Sequence, residues 1–238
     1  MPRRPQARPL HLHEEILLLA LHDEKGTFHS SMYPYALAGA VVTELLLEGR
    51  LQVVHGRGKR RYLEVADPTP TGDPVLDHAL SRVEGSRRRE QVSRWVSRLA
   101  TERRPSLAHR VAQDLVEAGV LDRQEGRILG IFRRVRFPAA SQGGRGQDPE
   151  EALVARLEAA LRGDEEPEPR TAVVLALAHS AGILRHNVDR RLLKAGKKRL
   201  EELARMDGIT GATRDAIQAA QAAVMAAVTA ATVAAAAG

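Results

Sequence analysis

Apolar residues along this chain recur mainly at helical spacing. The clearest case is a set at i, i+3, i+4 and i+7 that shares one helical face: Val92, Trp95, Val96 and Leu99. The same pattern predicts helices over residues 13–22, 35–48, 75–83, 90–100, 106–118, 171–184 and 188–206. Residues 171–184 are apolar on nearly all sides, so we expect that helix to be the most buried.

Capping residues fix where several of these helices begin and end. Asp148 followed by Pro149 is typical of a helix start, with an N-cap acid and proline at the first position. Gly49 and Gly119 each follow an apolar helix and predict its end.

Residues 216–238 carry no charge but consist mostly of alanine, which is nearly neutral for membrane insertion. This segment therefore predicts a packed C-terminal helix rather than a membrane span.

Two short β-hairpins interrupt the helices. LQVV and YLEV flank the basic turn HGRGKRR and predict a hairpin over residues 51–65, and residues 127–137 predict a further strand. TELLLEGRLQV and QDLVEAGVLDR repeat the order of helix, glycine stop and strand pair. The sequence thus predicts a mainly α fold, a multi-helix bundle around a central apolar helix with one or two small β-hairpins. We expect a disordered basic tail over residues 1–9 and a single helical domain over residues 10–238.

Composition and charge narrow the function. The formal net charge is +6 and the pI is about 10.1, which favours an anionic partner such as lipid or nucleic acid. The chain has no cysteine, so disulfides, thiolate nucleophiles and cysteine-based zinc sites are excluded. The N-terminal residues contain no apolar segment typical of a secretory signal.

Basic residues fall into clusters at predicted turns and strands. The members are Arg57, Lys59, Arg60 and Arg61; Arg87, Arg88 and Arg89; Arg103 and Arg104; and Arg133, Arg134 and Arg136. Each well-placed Lys or Arg contributes about 1 kcal/mol near an anionic bilayer, and the same side chains could contact DNA phosphates. Acidic neighbours such as Glu84 and Glu90 leave a merely solvated surface as the alternative for any one cluster.

Catalytic motifs are absent from the sequence. There is no HExxH, GxSxG, P-loop or GxGxxG. His11 and His13 could be imagined as metal ligands, but they open a helix near the terminus, and Glu14 and Glu15 fit helix N-terminal charge. We expect His179 to be a hydrogen-bonded core residue. The sequence therefore predicts a non-enzyme with no cofactor and no metal site.

Five segments in a fixed order resemble the Golgi phosphoprotein 3 family (the GPP34 domain). They are LHLHEEILLLALHDEKG, ELLLEGRLQV, PTGDPVLDHAL, DLVEAGVL and ALAHSAGIL, and their order and spacing cover nearly the whole chain from Leu10 to the C-terminus. The Arg- and Ala-rich composition favours a bacterial member. The resemblance implies a mainly helical, cytoplasmic, peripherally membrane-associated adaptor that binds phosphatidylinositol 4-phosphate or another anionic lipid, and that binds protein cargo.

The head-group pocket of the family is not matched residue by residue. The loop GTFHSSMY lacks the family's tryptophan, and Ala38, Pro105 and Ala108 stand where the family has arginine. Nearby residues offer substitute charge, and they are our lipid head-group candidates: His29, Arg103, Arg104, His109 and Arg110.

The resemblance also implies a projecting hairpin over residues 120–132. In the family it contacts membrane and supports self-association, so we expect a homo-oligomer through it. The membrane and self-association candidates are Arg127, Ile128, Leu129, Ile131 and Phe132.

A winged-helix nucleic-acid-binding protein is the alternative. Its motivation is the helix at residues 35–48 followed by a hairpin with a basic turn. That helix is too apolar to read base edges, and Glu44 and Glu48 would repel phosphate, so nucleic acid is the less favoured partner. An enzyme of unrecognised type ranks below both.

Overall fold

The computed structural model describes residues 9–22, 27–28, 30–58, 60–103, 105–128, 132–136, 148–164, 166–205 and 211–236. Within these ranges the helices are α1 (Leu12–Ala20), α2 (Tyr33–Leu47), α3 (Pro74–Glu84), α4 (Val92–Ala100), α5 (Leu107–Glu117), α6 (Pro149–Arg162), α7 (Pro169–Ser180), α8 (Leu184–Asn187), α9 (Arg190–Ala195), α10 (Lys197–Arg205) and α11 (Gly211–Ala236). The strands are β1 (Leu21–His22), β2 (Thr27–Phe28), β3 (Leu51–His55), β4 (Arg61–Val65), β5 (Glu90–Gln91), β6 (Gln124–Ile128) and β7 (Phe132–Arg136). The predicted mainly α fold is confirmed.

Helix α2 occupies the centre of the bundle. Every residue from 36 to 46 is buried, including Thr43 and Glu44, and the helix packs against α1, α4, α7 and α11. Gly39 allows the closest of these approaches, because a Cβ there would lie 2.2 Å from Val224 of α11. Helix α7 is also buried from residue 171 to residue 178, but it is not the most buried helix as expected, because every residue of α1 is buried.

Two hairpins follow the two repeated helix ends. Strands β3 and β4 pair from Leu51↔Val65 to His55↔Arg61, and β5 adds a short third strand that the sequence did not indicate. Gly49 and Gly119 both have positive φ, 69° and 74°, and close matching helix ends. The N–H of Arg50 donates to Leu45 and that of Val120 donates to Leu115, as in a Schellman motif. The similarity between TELLLEGRLQV and QDLVEAGVLDR therefore reflects the same C-terminal helix motif used twice.

Some boundaries differ from prediction. The strand expected over residues 127–137 is instead two antiparallel strands, β6 and β7, paired from Gln124↔Arg136 to Ile128↔Phe132. The helix expected over residues 188–206 is broken into α9 and α10 at Gly196, where a Cβ would lie 3.1 Å from the Leu161 carbonyl of α6. His179 is exposed rather than in the core. The proposed division at residues 9 and 10 stays a prediction.

Glu14 and Glu15 lie in the first turn of α1, as the predicted helix N-terminal charge requires, and both are buried. The Glu14 carboxylate accepts from the His11 N–H at 2.8 Å, and Glu15 pairs with Arg156 of α6 at 2.8 Å. These acids therefore tie the start of α1 to its surroundings. No helix in the described ranges is long and apolar enough to cross a membrane.

Candidate functional site

An arginine-lined cleft lies where α3 ends and α4 begins. It has a volume of about 300 Å³, and its lining residues are Arg82, Gly85, Ser86, Arg87, Arg88, Glu90, Trp95 and Arg98. Asp73 is the N-cap of helix α3, and its carboxylate accepts from the Val75 and Leu76 N–H groups, each at 2.9 Å. The helix ends at Glu84; Arg82 lies in its last turn, Arg87 and Arg88 lie in the segment after it, and Arg98 lies in α4.

Two of the cleft arginines are held by acids. Arg98 donates to Glu90 at 2.8 Å, and Arg82 donates to Glu102 at 3.2 Å. Glu102 also contacts the His78 ring at 2.8 Å. These contacts order the guanidinium groups and leave their remaining N–H donors available for a ligand.

The other two cleft arginines lie at the rim. Arg87 and Arg88 are exposed, and within the described ranges neither has an ion-pair partner. Their neighbour Arg89 differs, since it pairs with Glu64 and lies 5.3 Å from the Tyr62 ring. The sequence identified this basic run, but only the structure separates the paired arginine from the two without partners.

Trp95 forms the inner wall of the cleft. Its side chain is buried at 2% exposure, and the Arg98 guanidinium lies 5.2 Å from its ring centroid. The indole Nε1 has no hydrogen-bond partner in the described part of the chain. A buried indole donor without a partner is unusual in a folded protein.

The head-group candidates from the sequence are only partly described. Arg103 is exposed and follows Glu102, the acid that holds Arg82. Arg110 and His109 are half-buried on α5, and the Arg110 Nε is enclosed with no hydrogen-bond partner among described atoms. His29 and Arg104 lie outside the described residues. None of the arginines that line this cleft is among the head-group candidates that we selected from the sequence.

The hairpin candidates are described only as backbone. Arg127 and Ile128 lie in β6, and Phe132 begins β7. The structure does not describe their side chains, and Leu129 and Ile131 lie outside the described residues. Their proposed membrane and self-association roles stay predictions. The hairpin itself extends four residues past its expected end, to Arg136.

Another charged cluster lies between α1 and α2. Ligand atoms of His11, Glu44 and Glu48 lie within 4.8 Å of one another, close enough to hold a metal ion. Glu44, however, accepts from Arg170 at 2.7 and 3.1 Å and from the Leu12 N–H at 2.6 Å. Burial opposes its ionisation, but His11 and these donors outweigh that effect and lower the pKa of Glu44 to about 2. The arrangement is that of a structural ion network.

Comparison with known proteins agrees with this fold. The family description Golgi phosphoprotein 3 (GPP34) matches residues 12–220. Vacuolar protein sorting-associated protein 74 of Eremothecium gossypii is 34% identical over 148 residues, which is 55% of this chain and 44% of that protein. The chain therefore matches less than half the length of this relative. Because the relative is fungal, it gives the expected bacterial origin no support. The family match spans most of the helical bundle, and the chain belongs to the Golgi phosphoprotein 3 (GPP34) family.

Proposed function

We propose that this chain is a non-catalytic peripheral membrane protein that binds anionic lipid head groups through the arginine-lined cleft. The observation that carries the proposal is the pair Arg87 and Arg88, exposed at the rim with no ion-pair partner among the described residues. Near an anionic membrane each such side chain contributes about 1 kcal/mol. The proposed setting is the cytoplasmic leaflet, where anionic lipids are concentrated.

The cleft is suited to a phosphorylated head group. Four arginines and one glutamate line it, and after the pairing of Arg98 with Glu90 and of Arg82 with Glu102 the charges of Arg87 and Arg88 remain. Its volume of about 300 Å³ is at the small end for ligand pockets, which fits a head group better than a large ligand. Arg98 and Arg82 are already oriented by acids, so binding requires little further ordering. Phosphatidylinositol 4-phosphate is one such ligand, and other anionic lipids share its chemistry.

An adaptor role extends this proposal. The relative is named for association with vacuolar protein sorting. We infer that the present chain likewise links a membrane to protein cargo, with hairpin β6–β7 as a further contact. Nucleic acid binding has no comparable support. In a winged helix the element before the hairpin would enter the major groove, whereas residues 36–46 of α2 are buried in the core.

Vesicle flotation tests the proposal. We expect the chain to float with phosphatidylcholine vesicles containing phosphatidylserine or phosphatidylinositol 4-phosphate, and not with phosphatidylcholine alone. The double variant R87E/R88E should bind the anionic vesicles about tenfold or more weakly. The matched control is R191E/K198E, which carries the same net charge and changes exposed residues outside the cleft. Equal loss in both variants would reduce the effect to net charge and overturn the assigned site.

The lipid series also separates head-group chemistry from charge. Vesicles matched for total charge, with either phosphatidylserine or phosphatidylinositol 4-phosphate, should be compared. Preference for the phosphoinositide at equal charge supports a phosphomonoester ligand, and equal binding supports a general anionic site. Failure to bind either at low salt contradicts the membrane function.

A further inference from the structure

A second cleft lies beyond the C-terminal end of α7. It encloses about 470 Å³, and its lining residues are His179, Gly182, Leu184, Arg185, Arg190, Leu193, Lys194, Lys197 and Leu200. Leu184 and Leu200 are buried at 1% and 4% exposure, and Leu193 is half-buried. Gly182 has φ of 68°, which turns the chain from α7 into α8 and closes one side. The interior of this cleft is therefore lined by leucine.

The rim of the same cleft is cationic. Its charged lining residues are Arg185, Arg190, Lys194 and Lys197, with no Asp or Glu in the lining. Within the described ranges, Arg190 and Lys194 have no ion-pair partner, and Lys197 only approaches Glu201 at 4.0 Å on the exposed face of α10. The rim charge is thus largely uncompensated within the described part of the protein.

Nearby acids are committed elsewhere. The Asp189 carboxylate accepts from the Arg191 and Leu192 N–H groups at 2.7 and 3.2 Å as the N-cap of α9. Glu166 accepts from Arg199 at 2.5 Å. Neither acid lines the cleft. A ligand that reaches this rim therefore meets basic side chains next to apolar surface.

We propose that this cleft binds an anionic lipid, with one acyl chain against Leu184, Leu193 and Leu200 and the head-group anion at Arg190 and Lys194. A neutral apolar ligand would desolvate the rim cations without pairing them, at a cost. A free inorganic anion would gain nothing from the leucines. An anionic amphiphile satisfies both parts, and the cleft volume falls within the range of small-molecule sites. This site is separate from the arginine-lined cleft and does not depend on it.

Isothermal titration calorimetry with dodecyl phosphate below its micelle concentration tests the inference. We expect saturable binding, with inorganic phosphate and dodecyl maltoside each about tenfold or more weaker because each lacks one half of the match. Inorganic phosphate that binds as well as dodecyl phosphate would show a site for the anion alone. Dodecyl maltoside that binds equally would show a purely apolar site. Either result overturns the inference.

Two variants locate the site. R190E/K194E should lose about tenfold or more affinity for dodecyl phosphate, and R191E/K198E, with the same net charge, should keep it. L193S should weaken dodecyl phosphate binding while leaving inorganic phosphate unchanged. Unaltered binding in R190E/K194E overturns the site. Self-association of the unliganded chain, abolished by R190E/K194E in analytical ultracentrifugation, would assign the cleft to a second copy instead.

The two proposed lipid sites can be tested separately, because each has its own variant and its own ligand. R87E/R88E should lose vesicle flotation and retain dodecyl phosphate binding. If that variant also loses dodecyl phosphate, the ligand binds at the first cleft and the present inference falls, while the proposed membrane function stands.

Discussion

At the scale of single residues, the buried charges of α1 and α2 are the least expected feature. Glu44 is 2% exposed on the central helix, yet it is ionised because donors from two other segments, the start of α1 and the start of α7, surround it. His13 is wholly buried, and its ring stacks on that of His11 with 5.4 Å between the ring centroids. Neither ring nitrogen of His13 has a hydrogen-bond partner among the described atoms. The buried Glu44 carboxylate has hydrogen-bond donors, whereas the buried His13 ring has no partner. Substitutions at the two positions should therefore change the stability of the fold differently.

Glu44→Gln should destabilise the fold by about 1–2 kcal/mol, because it removes the charge of a buried carboxylate whose partner, Arg170, is partly exposed and can recover some solvation. Urea unfolding followed by circular dichroism measures this change. Glu48→Gln is the control, since Glu48 is exposed one turn further along α2, and it should change stability by less than about 0.5 kcal/mol. Equal effects from both substitutions would contradict the assigned network.

His13 should make stability fall in mild acid. Burial lowers the pKa of His13 from 6.5 to about 4, so between these values the unfolded chain binds the proton and the folded chain does not. Stability is therefore fully present above pH 6.5 and decreases as the pH falls toward 4. Melting temperatures over this range should fall steeply for the wild type and less steeply for His13→Leu. Parallel slopes in the two proteins would rule out His13 as the source.

At the scale of elements, the fold depends on how closely α11 approaches α2. The approach is made at Gly39, where the Val224 side chain fills the space of a missing Cβ. Helical glycine normally costs stability relative to alanine, so its presence here has a packing reason. The Schellman stops at Gly49 and Gly119 are different, since they serve backbone conformation, and a Cβ at either position would meet no described atom within 4 Å.

Gly39→Ala should destabilise the protein by about 1–3 kcal/mol through overpacking, despite the better helix propensity of alanine. The double variant G39A/V224A should recover part of that loss relative to the sum of the single variants, because Val224 is the group displaced. A double-mutant cycle from urea unfolding gives the coupling. Strict additivity would mean that the two helices do not meet at this point.

At the scale of the whole molecule, ion pairing decides which positive side chains remain available to a partner. The chain carries a net charge of +6, but several of its arginines are neutralised by acids, as Arg156 is by Glu15 and Arg170 by Glu44. Among the described residues, basic side chains without an ion-pair partner line the rims of the two clefts, and others, such as Arg57, Arg60 and Arg103, lie outside them. Position, more than total charge, should therefore govern association with an anionic surface.

Binding to anionic vesicles should weaken steeply between about 0.1 and 0.5 M NaCl, since exposed charges are screened within about 10 Å at 0.1 M salt. R87E/R88E should show a shallower salt dependence than the wild type, and R191E/K198E should keep the wild-type slope. Sedimentation with phosphatidylserine vesicles over a salt series measures these slopes. A salt-independent interaction would point to apolar insertion instead.

Local sequence accounts for the local features of this protein. Helix periodicity, the N-cap at Asp148, the stops at Gly49 and Gly119, and the first hairpin all depend on residues close together in the chain, and the ordered segments identified the family. Packing between segments that are distant in the sequence determined the remaining features of the fold. It made α2 central, broke the helix at Gly196 against α6, and paired Glu44 with an arginine 126 positions away. It also settled which basic residues line a cleft and which are neutralised, because contacts between remote parts of the chain leave no periodic signal in the sequence.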